Sequence, residues 1–128
     1  MHLQGLHHVA IICSDYERSK HFYVEILGFP LIREVYRAEK QSYRADLRVS
    51  ATDQIELFSF PAPPPRPNSP EAQGLRHLAF RVDDMDKMID YLRQQGIEAE
   101  PVRVDAETGK RFTFFKDPDG LPLELYES

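Results

Sequence analysis

Cysteine occurs once in the 128 residues, at Cys13, so the chain cannot build a disulfide framework. No apolar run approaches the roughly 18 residues of a membrane span. The opening Met1-His2-Leu3-Gln4-Gly5 has neither the basic cluster nor the apolar centre of a secretory signal. Basic residues are in deficit as well: 16 Lys and Arg stand against 21 Asp and Glu, a formal net charge of −5. That balance argues against the concentrated basic face that nucleic-acid backbones require. Together these absences point to a cytoplasmic protein with no nucleic-acid or membrane partner. The hydrophobic fraction of 41% and charged fraction of 29% are ordinary for a globular protein. The length suits one compact unit, or two very small modules sharing a core.

The chain repeats itself. His8-Val9-Ala10-Ile11-Ile12-Cys13-Ser14-Asp15 aligns with His77-Leu78-Ala79-Phe80-Arg81-Val82-Asp83-Asp84 at an offset of 69. Each stretch is an apolar run of strand length leading into a Ser/Asp helix start. Ser14 with Glu17 predicts a capping box, followed by a stripe of Tyr16, Ser19, Phe22, Tyr23, Ile26 and Leu27 that ends at Gly28. In the second half Asp83 or Asp84 starts a helix with Met85, Met88, Ile89 and Leu92 on one face, stopped by Gly96.

Three short strands are expected after each helix: about 31–37, 43–50 and 54–60 in the first half, and about 98–104, 111–116 and 121–127 in the second. Ile55-Glu56-Leu57-Phe58 repeats as Leu123-Glu124-Leu125-Tyr126 at an offset of 68. Each half therefore reads as βαβββ, with module 1 over about 6–60 and module 2 over about 75–127. Between them the proline-rich 61–70 segment reads as a stiff connector rather than a recognition peptide, because its prolines fix φ and remove backbone donors. Asp117-Pro118-Asp119-Gly120 predicts the turn before the last strand.

Strand parity turns this repeat into a site. Side chains alternate faces, so Val9, Ile11 and Cys13 form an apolar set for the helices, while His8 faces the other way with Ala10 and Ile12. A carboxylate inside a strand as apolar as those around Glu56 and Glu124 loses several kcal/mol on desolvation unless a cation compensates it. His8 precedes Glu56 by 48 residues and His77 precedes Glu124 by 47. A duplication would bring the four together. Two imidazoles and two carboxylates suit one divalent ion, Zn, Ni, Fe, Co or Mn, with solvent completing the shell.

Over 6–127 the sequence resembles the vicinal oxygen chelate superfamily, and within it the glyoxalase I-like (lactoylglutathione lyase-like) proteins. The motifs that carry the resemblance are His7-His8-Val9-Ala10-Ile11, Phe22-Tyr23 through Leu27-Gly28-Phe29, Ile55-Glu56-Leu57, His77-Leu78-Ala79-Phe80, and Asp117-Pro118-Asp119-Gly120 followed by Leu123-Glu124-Leu125. The resemblance implies an α+β fold of two βαβββ modules forming a partly open β-barrel around one metal. It implies His8, Glu56, His77 and Glu124 as ligands, and Glu124 as the general base as well, with Glu56 mainly a ligand. The implied chemistry is metal-stabilised enediolate proton transfer on a small oxygen-chelating substrate, such as a thiol hemithioacetal of a 2-oxoaldehyde, in a homodimer.

Members acting on glutathione adducts carry Arg four residues after the first metal His, where this chain has Ile12, so the thiol is left open. Arg81, at the matching place in the second repeat, is the first candidate for binding the substrate. Arg48 and Arg111 follow it, with Arg37 and Tyr43, all on strands expected to border the cavity. Other readings on the same fold are an epimerase, an extradiol dioxygenase, a resistance-type transferase and a small-molecule-sequestering module. His7 is expected to be structural or to support His8, and Cys13 to be a small core residue.

Overall fold

A computed structural model describes all residues, 1–128. The chain divides into two units, Met1–Pro65 and Arg66–Ser128, each built as βαβββ around its own four-stranded open sheet.

In the first unit β1 (His8–Cys13) leads into α1 (Tyr16–Lys20), which continues as wider π-helical turns over His21–Ile26. The cap is Asp15 rather than the expected Ser14: Asp15 is extended, and its carboxylate accepts the Arg18 N–H at 3.2 Å. At the other end the Leu27 N–H reaches back five residues to the Phe22 carbonyl at 2.9 Å, the wide spacing of π-helix. Gly28, at φ +77°, then takes the left-handed conformation that closes the helix.

Three strands follow, β2 (Leu31–Arg37), β3 (Ser42–Arg48) and β4 (Gln54–Ser59). The sheet order is β1-β4-β3-β2, with β1 parallel to β4 and the other pairs antiparallel. Burial alternates along β1: Ile11 and Cys13 are 7% and 1% exposed, whereas Ile12 between them is 56% exposed. Ile11, Cys13, Ala45, Leu47, Ile55 and Leu57 meet Tyr16, Phe22 and Tyr23 of the helical segment in this unit's core. Ile11, Leu47, Ile55 and Leu57 each contribute on the order of 1.5–3 kcal/mol by leaving water.

The second unit repeats the plan with β5 (Leu78–Val82), α2 (Met85–Gln94), β6 (Arg103–Val104), β7 (Arg111–Lys116) and β8 (Pro122–Glu127). The order is β5-β8-β7-β6, again with one parallel pair, β5 and β8. Asp84 caps α2 by accepting the Lys87 N–H at 3.0 Å. Met85, Leu92, Phe115, Leu123 and Leu125 fill the core.

The expected strand over 98–104 shortens to Arg103–Val104. Pro101 has no N–H to give a ladder. The preceding residues hold on through isolated bonds instead: the Glu100 N–H donates to the Phe114 carbonyl at 2.9 Å, and the Thr113 hydroxyl to the Glu100 carbonyl at 2.6 Å.

The end of the proline-rich segment is tied into the second unit. The Arg66 guanidinium donates to the Leu75 and Arg76 carbonyls, each at 3.0 Å, and to Asn68 at 2.6 Å. Asn68 in turn donates to the Gly120 carbonyl at 2.7 Å, in the expected Asp117–Gly120 turn. No helix is long and apolar enough to cross a membrane.

Candidate metal centre

Register places the chemistry on the sheet face away from the helices. In the first unit Glu56 stands opposite Asp46 on β3 and Ala10 on β1. Its neighbours Ile55 and Leu57 point into the core, so Glu56 alone of the three turns outward. Its side chain is 7% exposed, and Oε2 meets His8 Nδ1 at 3.3 Å. The exposed His7 lies against the same imidazole, Nδ1 to Nδ1 at 2.9 Å with the rings edge to face. His7 therefore supports His8.

Two buried carboxylates directly opposite one another would repel. Arg44 resolves this. Its Nε donates to Asp46 at 2.9 Å, and its Nη2 reaches Glu56 Oε2 at 3.2 Å. Arg33 adds a second guanidinium on Asp46 at 2.9 Å. Burial pushes the Asp46 carboxyl up, and the bonds from Arg44 and Arg33 overcome it and hold the group below the usual range. The same pairing raises Arg44.

The second unit has the same contact in different surroundings. His77, immediately before β5, places Nε2 3.2 Å from Glu124 Oε1. Glu124 stands opposite Phe114 and Ala79, where the first unit has Asp46 and Ala10. Phe112 likewise replaces Arg44, and Tyr126 replaces Phe58. His77 meets the Phe114 ring edge to face at 5.0 Å. The Glu56 carboxylate is thus set against a guanidinium and a second carboxylate, whereas Glu124 stands against an aromatic ring and the guanidinium here, Arg76 Nη1, lies 3.5 Å from His77 Nδ1. A cleft of about 340 Å³ opens beside His77 and Phe114, with Arg76, Arg103 and Lys116 on its walls.

Each unit supplies one imidazole nitrogen and one carboxylate oxygen, and neither gathers three such groups by itself. The contacts of 3.3 and 3.2 Å match the separation of two donors on one tetrahedral ion with bonds near 2.0 Å, roughly 3.3 Å apart. Borderline nitrogen and hard oxygen donors suit Zn²⁺ or a neighbouring transition ion. The donor chemistry of each pair fits a divalent metal.

The candidate substrate residues separate by face. Arg81 is exposed and pairs in register with Tyr126, on the Glu124 face. Arg48 pairs with Gln54 on the Glu56 face and donates to the Asp53 carbonyl at 3.4 Å. Arg37 shares that face, with its guanidinium 5.5 Å from the centre of the Phe58 ring. Arg111 does not border the site. Odd spacing from Phe114 puts it on the helix side, paired with Glu127 at 3.0 Å and Asp86 at 3.3 Å. Tyr43 is turned the same way in the first unit and stacks on Tyr16 at 4.6 Å. Arg44 and Asp46 were not foreseen, although the alternation Arg44-Ala45-Asp46-Leu47, charged residues two apart with apolar ones between, carried the signal.

Comparison with known proteins agrees with this architecture. A family model described as the Glyoxalase/Bleomycin resistance protein/Dioxygenase superfamily matches residues 5–125. The chain is 61% identical over 127 residues to the uncharacterized protein YwkD of Bacillus subtilis (strain 168), covering 99% of both. It is 58% identical to the uncharacterized protein YaeR of Escherichia coli (strain K12), covering 98% of this chain and 97% of that one. A crystal structure of a glyoxalase family protein from Enterococcus faecalis superposes with a TM-score of 0.92 at 52% identity, over 99% of this chain and 100% of that one.

Proposed function

The chain belongs to the Glyoxalase/Bleomycin resistance protein/Dioxygenase superfamily, and we propose that it works there as a divalent-metal-dependent lyase or isomerase of the glyoxalase I type. The observation that carries this reading is the recurrence of one contact: His8 with Glu56, and His77 with Glu124, at matching register in the two units. The four side chains are assigned as the ligands of one ion. When bound, that ion polarises two adjacent substrate oxygens and lowers the cost of negative charge between them.

The protein's own residues divide the remaining work. Glu56 is engaged by Arg44 and His8 together, which fixes its orientation and suits it to holding the metal. Glu124 stands against Phe114 and bears no such guanidinium contact in its register, which suits it to carrying a proton between adjacent substrate carbons. Phe112, Phe114 and Tyr126 form an aromatic wall beside the carboxylate. Arg81, free on the same face, is assigned to substrate binding.

The first substrate class to test is the thiol hemithioacetals of 2-oxoaldehydes, with thiols other than glutathione included because Ile12 leaves the thiol open. The protein is taken to be a homodimer. On the Glu56 face of the first unit Ile12 and Val35 are 56% and 43% exposed, apolar side chains that a partner surface would cover.

Glu124→Gln tests the assignment. The variant is expected to lose turnover by two or more orders of magnitude, about 10²–10⁴ for a general base, while keeping most of its metal. Full activity in a metal-loaded Glu124→Gln protein refutes the base role.

A further inference from the structure

Phe58 lies two residues beyond Glu56 on the same face of β4, and two guanidiniums flank its ring. The Arg37 carbon Cζ is 5.5 Å from the ring centre and that of Arg44 is 5.8 Å. Arg44 is spent on Asp46 and Glu56. Arg37 is not: its Nε is buried without any hydrogen-bond partner. A buried guanidinium donor left unpaired is costly, and a cation–π contact recovers only part of what water would give it.

The surrounding charge points the same way. The face carries Arg33, Arg37, Arg44 and Arg48 in register with one another and with Gln54, Glu56 and Phe58. Asp46 and Glu56 are the only carboxylates among these paired positions, and Arg33 and Arg44 satisfy Asp46. Four guanidiniums against two carboxylates leave positive charge on a face of a chain that is negative overall. A divalent ion at His8 and Glu56 would add to that surplus. A neutral ligand would leave it unbalanced; an oxyanion offsets it.

We propose that Arg37, with its guanidinium 5.5 Å from the centre of the Phe58 ring beside Arg44, is an oxyanion-binding group that reads a carboxylate or phosphate on the ligand of this site. The ring contact restrains the guanidinium, and its two terminal nitrogens form a fork of N–H donors, the geometry that receives two oxygens at once. The identification of that ligand as the substrate rests on the metal-enzyme reading above. The anion site itself does not, because Arg37 makes no contact with His8 or Glu56.

The test uses the metal-free full chain and two probes, inorganic phosphate and acetate, titrated by calorimetry or by protein NMR at fixed ionic strength. Saturable binding is expected, and Arg37→Met should weaken it at least about tenfold, the value of a charge-assisted hydrogen bond. Arg37→Lys keeps the charge but not the fork, so it should recover only part of the loss. Tighter phosphate binding identifies a phosphate ester as the recognised group, and tighter acetate binding a carboxylate. Zinc titration of Arg37→Met, expected to match the unaltered protein, shows that the variant is folded and its metal ligands intact. Absence of saturable binding by either probe, or equal affinity in Arg37→Met, overturns the proposal. Anion binding that depends on Arg37 in a protein that takes up no zinc would sink the metal reading and leave the anion site standing.

Discussion

Arg44→Met removes the guanidinium that lets Asp46 and Glu56 face one another, while keeping a stem of similar length. Asp46 loses bonds at 2.9 and 3.5 Å, and Glu56 one at 3.2 Å. Asp46 keeps Arg33, but that side chain is 66% exposed and its attraction is screened. Breaking a buried ion pair outright costs about 3–5 kcal/mol. With one partner left, the loss here is expected near 2–3 kcal/mol, in line with charge-assisted hydrogen bonds.

Urea unfolding measures it as a lowered midpoint at unchanged slope. The folded variant should also bind metal about 10–100-fold more weakly, as when an outer-shell partner is removed. The second unit supplies the control, because Phe112 and Phe114 occupy the matching register positions. Adding Asp46→Leu to Arg44→Met imitates that apolar solution, and should return most of the lost stability. The reasoning is refuted if Arg44→Met unfolds within about 0.5 kcal/mol of the parent, the range of an unremarkable surface change, or if the double variant is less stable than the single one.

Acid should weaken the first unit through Glu34. Lys20 at 2.8 Å, and after it the Tyr16 hydroxyl, hold this carboxyl below its ordinary range. Its contribution is therefore complete above the unfolded value of about 4.3 and lost as pH falls through the lower folded value. Glu34→Gln should flatten that acid limb of the stability curve, and an unchanged limb would contradict the pairing. Leu57→Ala empties a fully buried position behind Glu56 and should cost about 2–5 kcal/mol by urea unfolding. A loss below about 1 kcal/mol would mean that the core is not close-packed there.

The elements with strong periodicity were legible from the sequence, and so was the parity that separates Glu56 from Ile55 and Leu57. β2 and β7 coincide with their expected bounds, because each is framed by turn residues and carries β-branched or aromatic side chains. The first helix was legible in its stripe but not in its cap, since Ser14 and Asp15 both offer an oxygen and only the backbone decides between them. The strand over 98–104 failed because Pro101 interrupts the ladder, a local veto that an apolar pattern does not display.

At the site, the two His–Glu pairs could be read from the repeat, but their surroundings could not. Arg111, on a strand expected to border the cavity, lies on the helix side, because its face follows from pairing with β8 and not from its strand alone. Arg44 looks like a solvated cation until β3 is set in register against β4. Pairing across strands, rather than pattern along one of them, decides such residues.

The central claim is that the two pairs serve one ion. Titrating metal-free protein with Zn²⁺ or Ni²⁺ and reading the stoichiometry tests it most directly. Because each chain supplies His8, Glu56, His77 and Glu124 once, a shared four-ligand site gives one metal per chain, whether the ligands come from one chain or from two. His77→Ala and His8→Ala should then each abolish the same single site. Two metals per chain, or a His77→Ala protein that binds its metal as the parent does, would contradict the claim.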